Sequence, residues 1–226
     1  KSLLDLPQSK PTSDIEHLCL LRACRETRSL SSAKRIQILL SLHGFDRIRS
    51  FSEDLLATLC KCGAFHESFV LFNKLCIRSV FVWTAILSCY TDNGHPKEAI
   101  SLYKHMRKDG VSPDSYTFVV LFKACGLIRD LDEGKLFHAE ARSRGFCSDL
   151  FVGNTLISMY GKCGSVSECE RTFLEMSSRD IVSCNALLSA YVDQGLSEKA
   201  LLFYRQIHEE EQEQGCTTFR KAIQHR

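Results

Sequence analysis

The chain has 226 residues, 44% of them hydrophobic and 25% charged, with a net charge of +2. That balance describes a folded protein with no membrane partner, since no run reaches the roughly 18 apolar residues of a membrane span, and it neither demands nor forbids nucleic acid. Its 12 cysteines are too few for a disulfide scaffold and lack zinc-finger spacing, so they read as small thiols packing between helices.

Residues 1–13, with Pro7 and Pro11, read as a lead-in. Beyond them the chain repeats itself at an offset of 101, without a gap. Leu20, Ala23 and Cys24 fall on Leu121, Ala124 and Cys125, and Gly44-Phe45 falls on Gly145-Phe146. Lys61-Cys62-Gly63 falls on Lys162-Cys163-Gly164, and Arg78 on Arg179. Ala85, Leu87, Tyr90, Gly94, Ala99 and Tyr103 fall on Ala186, Leu188, Tyr191, Gly195, Ala200 and Tyr204. Self-similarity of this kind marks a repeat architecture.

The 101-residue unit divides into helical hairpins at 14–48, 49–79 and 80–114, and again at 115–149, 150–180 and 181–215. Ser13 with Glu16 and Ser165 with Glu168 have the spacing of capping boxes that open helices. The unit 80–114 shows the pattern most plainly. Val82, Ile86, Leu87 and Tyr90 line one face of a first helix, and Asn93-Gly94 ends it. Pro96 suits the first turn of a second helix, whose apolar face is Ala99, Leu102, Tyr103 and Met106. A partial seventh unit begins at 216, where "TTF" echoes the "YTF" at 116–118. A single hairpin cannot bury its apolar face, so the expected fold is all-α: a right-handed superhelical α-solenoid of helix-turn-helix repeats. Its uncapped C-terminal end would expose apolar surface suited to self-association.

These units resemble the pentatricopeptide repeats of the plant PLS class, in which long, short and standard motifs alternate. "YTFVVLFKACGLIRDLDEGKLFHAEARSRGFCSD" is similar to the long motif, "LFVGNTLISMYGKCGSVSECERTFLEMSSRD" to the short one and "VFVWTAILSCYTDNGHPKEAISLYKHMRKDGVSPD" to the standard one. The order long, short, standard occurs twice over 14–215. The resemblance implies a non-enzymatic adaptor that binds single-stranded RNA at about one base per repeat on a concave face. It further implies a place in RNA editing or processing, with other editing or processing factors as partners, in a mitochondrion or chloroplast. No catalytic residue, metal or cofactor is expected, and His138 matches a structural position of the long motif. Two rivals stand beside this reading: a protein-binding scaffold of tetratricopeptide type, and a truncated repeat protein with weak RNA affinity.

In this family base choice resides mainly in a motif's fifth and last residues. Carried over, these are Leu18 with Ile48, Glu53 with Ser79, Thr84 with Asp114, Val119 with Asp149, Asn154 with Asp180, and Asn185 with Gly215. A carboxylate only accepts hydrogen bonds, so Asp114 and Asp180 favour bases that show a ring N–H, guanine or uracil. The family's code gives guanine for Thr with Asp and uracil for Asn with Asp, so units 80–180 would read G-N-U. Leu18, Ile48 and Val119 cannot hydrogen-bond a base. The second residues, Phe81, Tyr116, Phe151 and Val182, either pack against base faces or fill the groove between hairpins. Lys61 and Lys162, thirteenth in the short motifs, would contact phosphate or serve as ordinary solvated lysines near a helix C-terminus.

Overall fold

The computed structural model describes residues 14–42 and 48–207, and every regular element among them is a helix. The chain forms two compact units, 1–113 and 114–226. The first contains α1 (Asp14–Thr27), α2 (Leu30–Leu42), α3 (Arg49–Lys61), α4 (Phe65–Lys74), α5 (Val80–Asp92) and α6 (Pro96–Lys108). The second contains α7 (Ser115–Ile128), α8 (Leu131–Ser143), α9 (Leu150–Lys162), α10 (Val166–Glu175) and α11 (Ile181–Asp193). A further helix, α12, runs over 197–207. The expected all-α repeat architecture is what the structure has. The proposed lead-in 1–13, Ser13, Gly44-Phe45, Gly215 and the partial unit 216–226 lie outside the described residues.

Within each unit the first helices of successive hairpins pack side by side: α1 on α3 and α3 on α5, then α7 on α9 and α9 on α11. The second helices α2, α4, α6, α8 and α10 each fold back on the first helix of their own hairpin. Leu21, Leu55, Leu56, Leu59, Val82, Ile86 and Leu87 form the buried seam of the first unit. Phe118, Leu121, Phe122, Val152, Leu156 and Ile157 form that of the second. Burying one such side chain stabilises the fold by about 1.5–3 kcal/mol.

The turn between the helices of a hairpin needs a residue in the left-handed region, and glycine supplies it cheaply: Gly63 and Gly164 have φ of 73° and 79°. The cysteine just before each closes the first helix. Cys62 Sγ donates to the Cys24 carbonyl at 3.5 Å, and Cys163 Sγ to the Cys125 carbonyl at 3.9 Å, so the offset of 101 preserves a contact as well as a residue. The second helices α4 and α10 have 10 residues against 13 in α6 and α8, which accounts for most of the difference in length between these hairpins and the longer ones. Arg78 and Arg179 seal their ends: each guanidinium lies over a phenylalanine ring, Phe72 at 4.5 Å and Phe173 at 4.8 Å. Each Nε donates to that same residue's carbonyl.

Two expectations need correction. Ser165 is the N-cap of α10, but its side chain makes no capping bond, and Glu168 pairs with Arg171 on the helix surface instead. The cysteines are not uniformly buried. Cys24, Cys89, Cys125 and Cys169 are, whereas Cys76, in the turn leading to α5, and Cys19 are exposed.

Small residues set the spacing of the second unit. A Cβ built on Gly161 of α9 would lie 2.8 Å from the Ala190 Cβ of α11, and one on Gly134 would lie 2.7 Å from Met159 Sδ. Beside this seam His138 Nδ1 and the Tyr160 hydroxyl, both buried, share a hydrogen bond of 2.7 Å. Burial holds His138 below its ordinary value and pushes Tyr160 up to about 12. Neutral imidazole is therefore the folded form, and the unfolded chain binds the proton more readily.

Two outcomes follow. Gly161→Val should destabilise the chain by about 1–3 kcal/mol in urea unfolding, because the added methyls meet the α11 backbone. Stability should be full above about pH 6.5 and decline as pH falls below it. His138→Gln should flatten that decline in unfolding curves taken between about pH 7.5 and 5.5.

Candidate nucleic-acid interface

Ile48, Ser79, Asp114, Asp149 and Asp180, the last residues of their hairpins, are also the residues that open the next first helix. Asp180 Oδ1 accepts from Ser183 N–H at 2.8 Å and from the Ser183 hydroxyl at 2.8 Å, while the Ser183 oxygen accepts from Asp180 N–H at 3.1 Å. Asp114 and Thr117 form the same box, with Asp114 Oδ1 accepting from Thr117 N–H at 2.8 Å and from its hydroxyl at 2.7 Å. Asp149 caps α9 by accepting from Phe151 and Val152 N–H, and Ser79 caps α5 by accepting from Val82 N–H. Ile48 opens α3 without a side-chain bond. These caps are worth roughly 1 kcal/mol each, and sequence reasoning missed them as caps. The signal was present: Asp-x-x-Thr at 114–117 and Asp-x-x-Ser at 180–183.

Each fifth residue sits one turn inside a first helix. In the second unit the structure joins one pair directly: Asn154 Nδ2 donates to Asp180 Oδ1 at 3.1 Å. Asn154 is only 8% exposed, and its Oδ1 is buried without a partner. Hydrogen bonds from the Ser183 backbone, the Ser183 hydroxyl and Asn154 hold the Asp180 carboxyl below its usual range, so it remains an anion and a pure acceptor. Asn154 thus directs its amide N–H to Asp180 and keeps its amide oxygen buried beside that carboxylate.

The other positions are less complete. Val119 is half-buried in α7, and Asp149 is exposed at the start of α9. Asn185 is exposed on α11, and its partner Gly215 is outside the described residues. Thr84 is half-buried in α5 of the first unit, whereas Asp114 begins the second. Leu18 and Glu53 are half-buried in α1 and α3.

The second-position side chains are about half exposed. Phe81, Tyr116, Phe151 and Val182 are 46%, 65%, 56% and 53% exposed. In the second unit Tyr116, Phe151 and Val182 occupy the first turns of α7, α9 and α11, one per hairpin. Lys61 and Lys162 are the last residues of α3 and α9; both are exposed, and neither has a carboxylate partner among the described residues. The carbon stem of Lys162 lies close to Gly126, where a Cβ would stand 3.2 Å from Lys162 Cδ, and this directs the stem along α7.

The model of the pentatricopeptide (PPR) repeat family matches residues 78–126, and the PPR repeat model matches 154–181 and 182–211. A chloroplastic pentatricopeptide repeat-containing protein of Arabidopsis thaliana is 34% identical over 187 residues, 82% of this chain and 30% of that protein. Another from the same plant is 38% identical over 165 residues, 72% of this chain and 25% of its own length. A third, described as mitochondrial, is 28% identical over 204 residues, 90% of this chain and 32% of its own. The chain thus spans about a quarter to a third of these relatives. Among solved structures, the PPR domain of Arabidopsis thaliana protein-only RNase P 1, in complex with tRNA, superposes with a TM-score of 0.55. It is 16% identical, and the match covers 68% of this chain and 86% of that one. Repeat-model matches in both units, plant relatives across most of the length and the helical-hairpin fold agree: the chain is a pentatricopeptide repeat protein.

Proposed function

We propose that the chain binds single-stranded RNA along its row of first helices and contributes base selectivity through Asn154 and Asp180. The observation that carries this reading is the hydrogen bond between those two side chains, with an empty buried acceptor left on Asn154. A ring N–H can be donated to the Asp180 carboxylate that Asn154 holds, and uracil and guanine supply one where adenine and cytosine present an acceptor. Exposed Tyr116 and Phe151 in the adjoining first turns suit stacking of successive bases, and Lys162 suits a phosphate. The solved domain with a similar fold is itself a tRNA complex, which supports an RNA partner.

The finer reading has its own supports. The alternation of 13-residue and 10-residue second helices accords with a PLS arrangement with motif bounds 14–48, 49–79, 80–114, 115–149, 150–180 and 181–215. Relatives named as chloroplastic and mitochondrial support an organellar location. In this reading the chain specifies a site for RNA editing or processing and the reaction is performed by another factor.

Binding measured on short RNAs that differ at one base should favour uracil over adenine at the position facing α9. Asn154→Ala leaves the Asp180–Ser183 cap in place, and it should reduce that preference by about 0.5–1.5 kcal/mol per hydrogen bond lost, roughly two- to tenfold in affinity. Equal affinity of the unaltered protein for the two RNAs rejects the assignment. Lys162→Glu should weaken binding to all sequences alike and reduce the slope of log affinity against log salt by about one. An affinity indifferent to salt points instead to a peptide in the groove.

A further inference from the structure

Every turn that joins a first helix to its second among the described residues holds one residue in the left-handed region. Gly63, Gly94, Gly164 and Gly195 take that place at φ of 73°, 86°, 79° and 70°. The turns after α1 and α7 use arginine instead: Arg28 at 49° and Arg129 at 56°. These are the only non-glycine residues with positive φ among the described residues, and the offset of 101 lays one on the other. Each is followed at once by the residue that caps the second helix. Ser29 Oγ accepts from Ser32 N–H at 3.3 Å, and Asp130 Oδ1 from Glu133 N–H at 3.1 Å.

Glycine adopts this conformation without a steric penalty, and a residue with a Cβ does not. A strained residue that recurs at one place points to work for its side chain. Local structure does not supply that work at Arg129. The side chain is exposed and makes no hydrogen bond or ion pair among the described residues, and the neighbouring Asp130 is occupied as a cap. The dipole of α7 favours a cation at its end. Lys61 and Lys162 meet the same preference at ordinary φ, so the dipole does not select the left-handed position.

The fold places Arg129 beside a residue already assigned to phosphate. Arg129 N–H and Cys163 Sγ donate to the same Cys125 carbonyl, the thiol at 3.9 Å. That shared acceptor brings the end of α7 against the end of α9, where Lys162 immediately precedes Cys163. Lys162 is exposed and has no carboxylate partner among the described residues. Two cations without partners therefore stand at the meeting ends of adjacent first helices.

We propose that Arg129 is a phosphate contact of its own, binding the phosphodiester next to the one at Lys162. One base per hairpin puts successive phosphates at successive first helices. The guanidinium fork offers two parallel donors to phosphate oxygens, where lysine offers a point charge. In the first unit Arg28 and Lys61 repeat the pair of residue types at the ends of α1 and α3. The proposal rests on the RNA-binding reading above and adds the turn after α7 to the binding surface.

The test is equilibrium binding of the full chain to a short single-stranded RNA across a salt series, with thermal unfolding of each variant alongside. Arg129→Gly removes the charge and the backbone strain together. It should weaken binding to all sequences alike and reduce the slope of log affinity against log salt by about 0.7–1. Its unfolding midpoint should be no lower than that of the unaltered protein, because glycine suits the turn. Arg129→Lys keeps the charge and should keep the slope. An Arg129→Gly protein with the affinity and slope of the unaltered chain overturns the proposal, whatever its midpoint. So does an Arg129→Lys protein that loses as much slope as Arg129→Gly. Failure of the RNA-binding reading itself looks different: the unaltered protein then shows no salt-dependent binding, and the assignment of Arg129 falls with it.

Discussion

Everything in this molecule depends on how closely one first helix can lie against the next. A hairpin of two helices leaves a wide apolar face open, and that face is covered only when the neighbouring hairpin's first helix is pressed onto it. Gly161 against Ala190 shows how little room there is, and Cys62 and Cys163, each reaching the carbonyl of a neighbouring first helix, show how it is managed at the helix ends. Burial of leucine, valine and phenylalanine drives the association. Small side chains decide the distance at which it stops.

That distance is also what aligns the proposed binding row. Because first helices pack in register, the first turn of each presents the same positions in turn, so Tyr116, Phe151 and Val182 recur at one place per hairpin. The capping residue of one helix comes within hydrogen-bond reach of the fifth residue of the helix before it, as Asp180 does with Asn154. One carboxylate then serves two ends: it closes α11 through Ser183 and holds Asn154 in place. Economy of this kind has a cost in interpretation, since Asp180→Ala would remove a cap and a candidate base contact together. Asn154 separates them.

Much of the architecture was legible in the sequence, and the reasons are specific. The offset of 101 is exact in residues that carry geometric demands: glycine at positive φ in Gly63 and Gly164, and arginine over phenylalanine at Arg78 and Arg179. The apolar stripe of 80–114 is buried where its spacing placed it, at Val82, Ile86, Leu87, Ala99, Tyr103 and Met106. Less visible was anything that depends on where a short polar side chain points. A capping box was sought in the serine–glutamate spacing at 165–168, but the boxes that form are aspartate with threonine or serine at 114–117 and 180–183. The exposure of Cys76 and the buried His138–Tyr160 bond are matters of three-dimensional neighbourhood that helical periodicity does not encode. The site residues Asn154 and Asp180 came from resemblance to a family; the contact between them came from the structure.

The central claim is that the N-terminal turns of the first helices are the surface a nucleic-acid strand occupies. Photocrosslinking of the full chain to a short single-stranded RNA carrying 4-thiouridine, with the attached peptides sequenced, tests it most directly. The account predicts attachment at the turns containing Tyr116, Phe151 and Val182. Attachment confined to the second helices α8 and α10, or none at all under conditions where the RNA is bound, would contradict it.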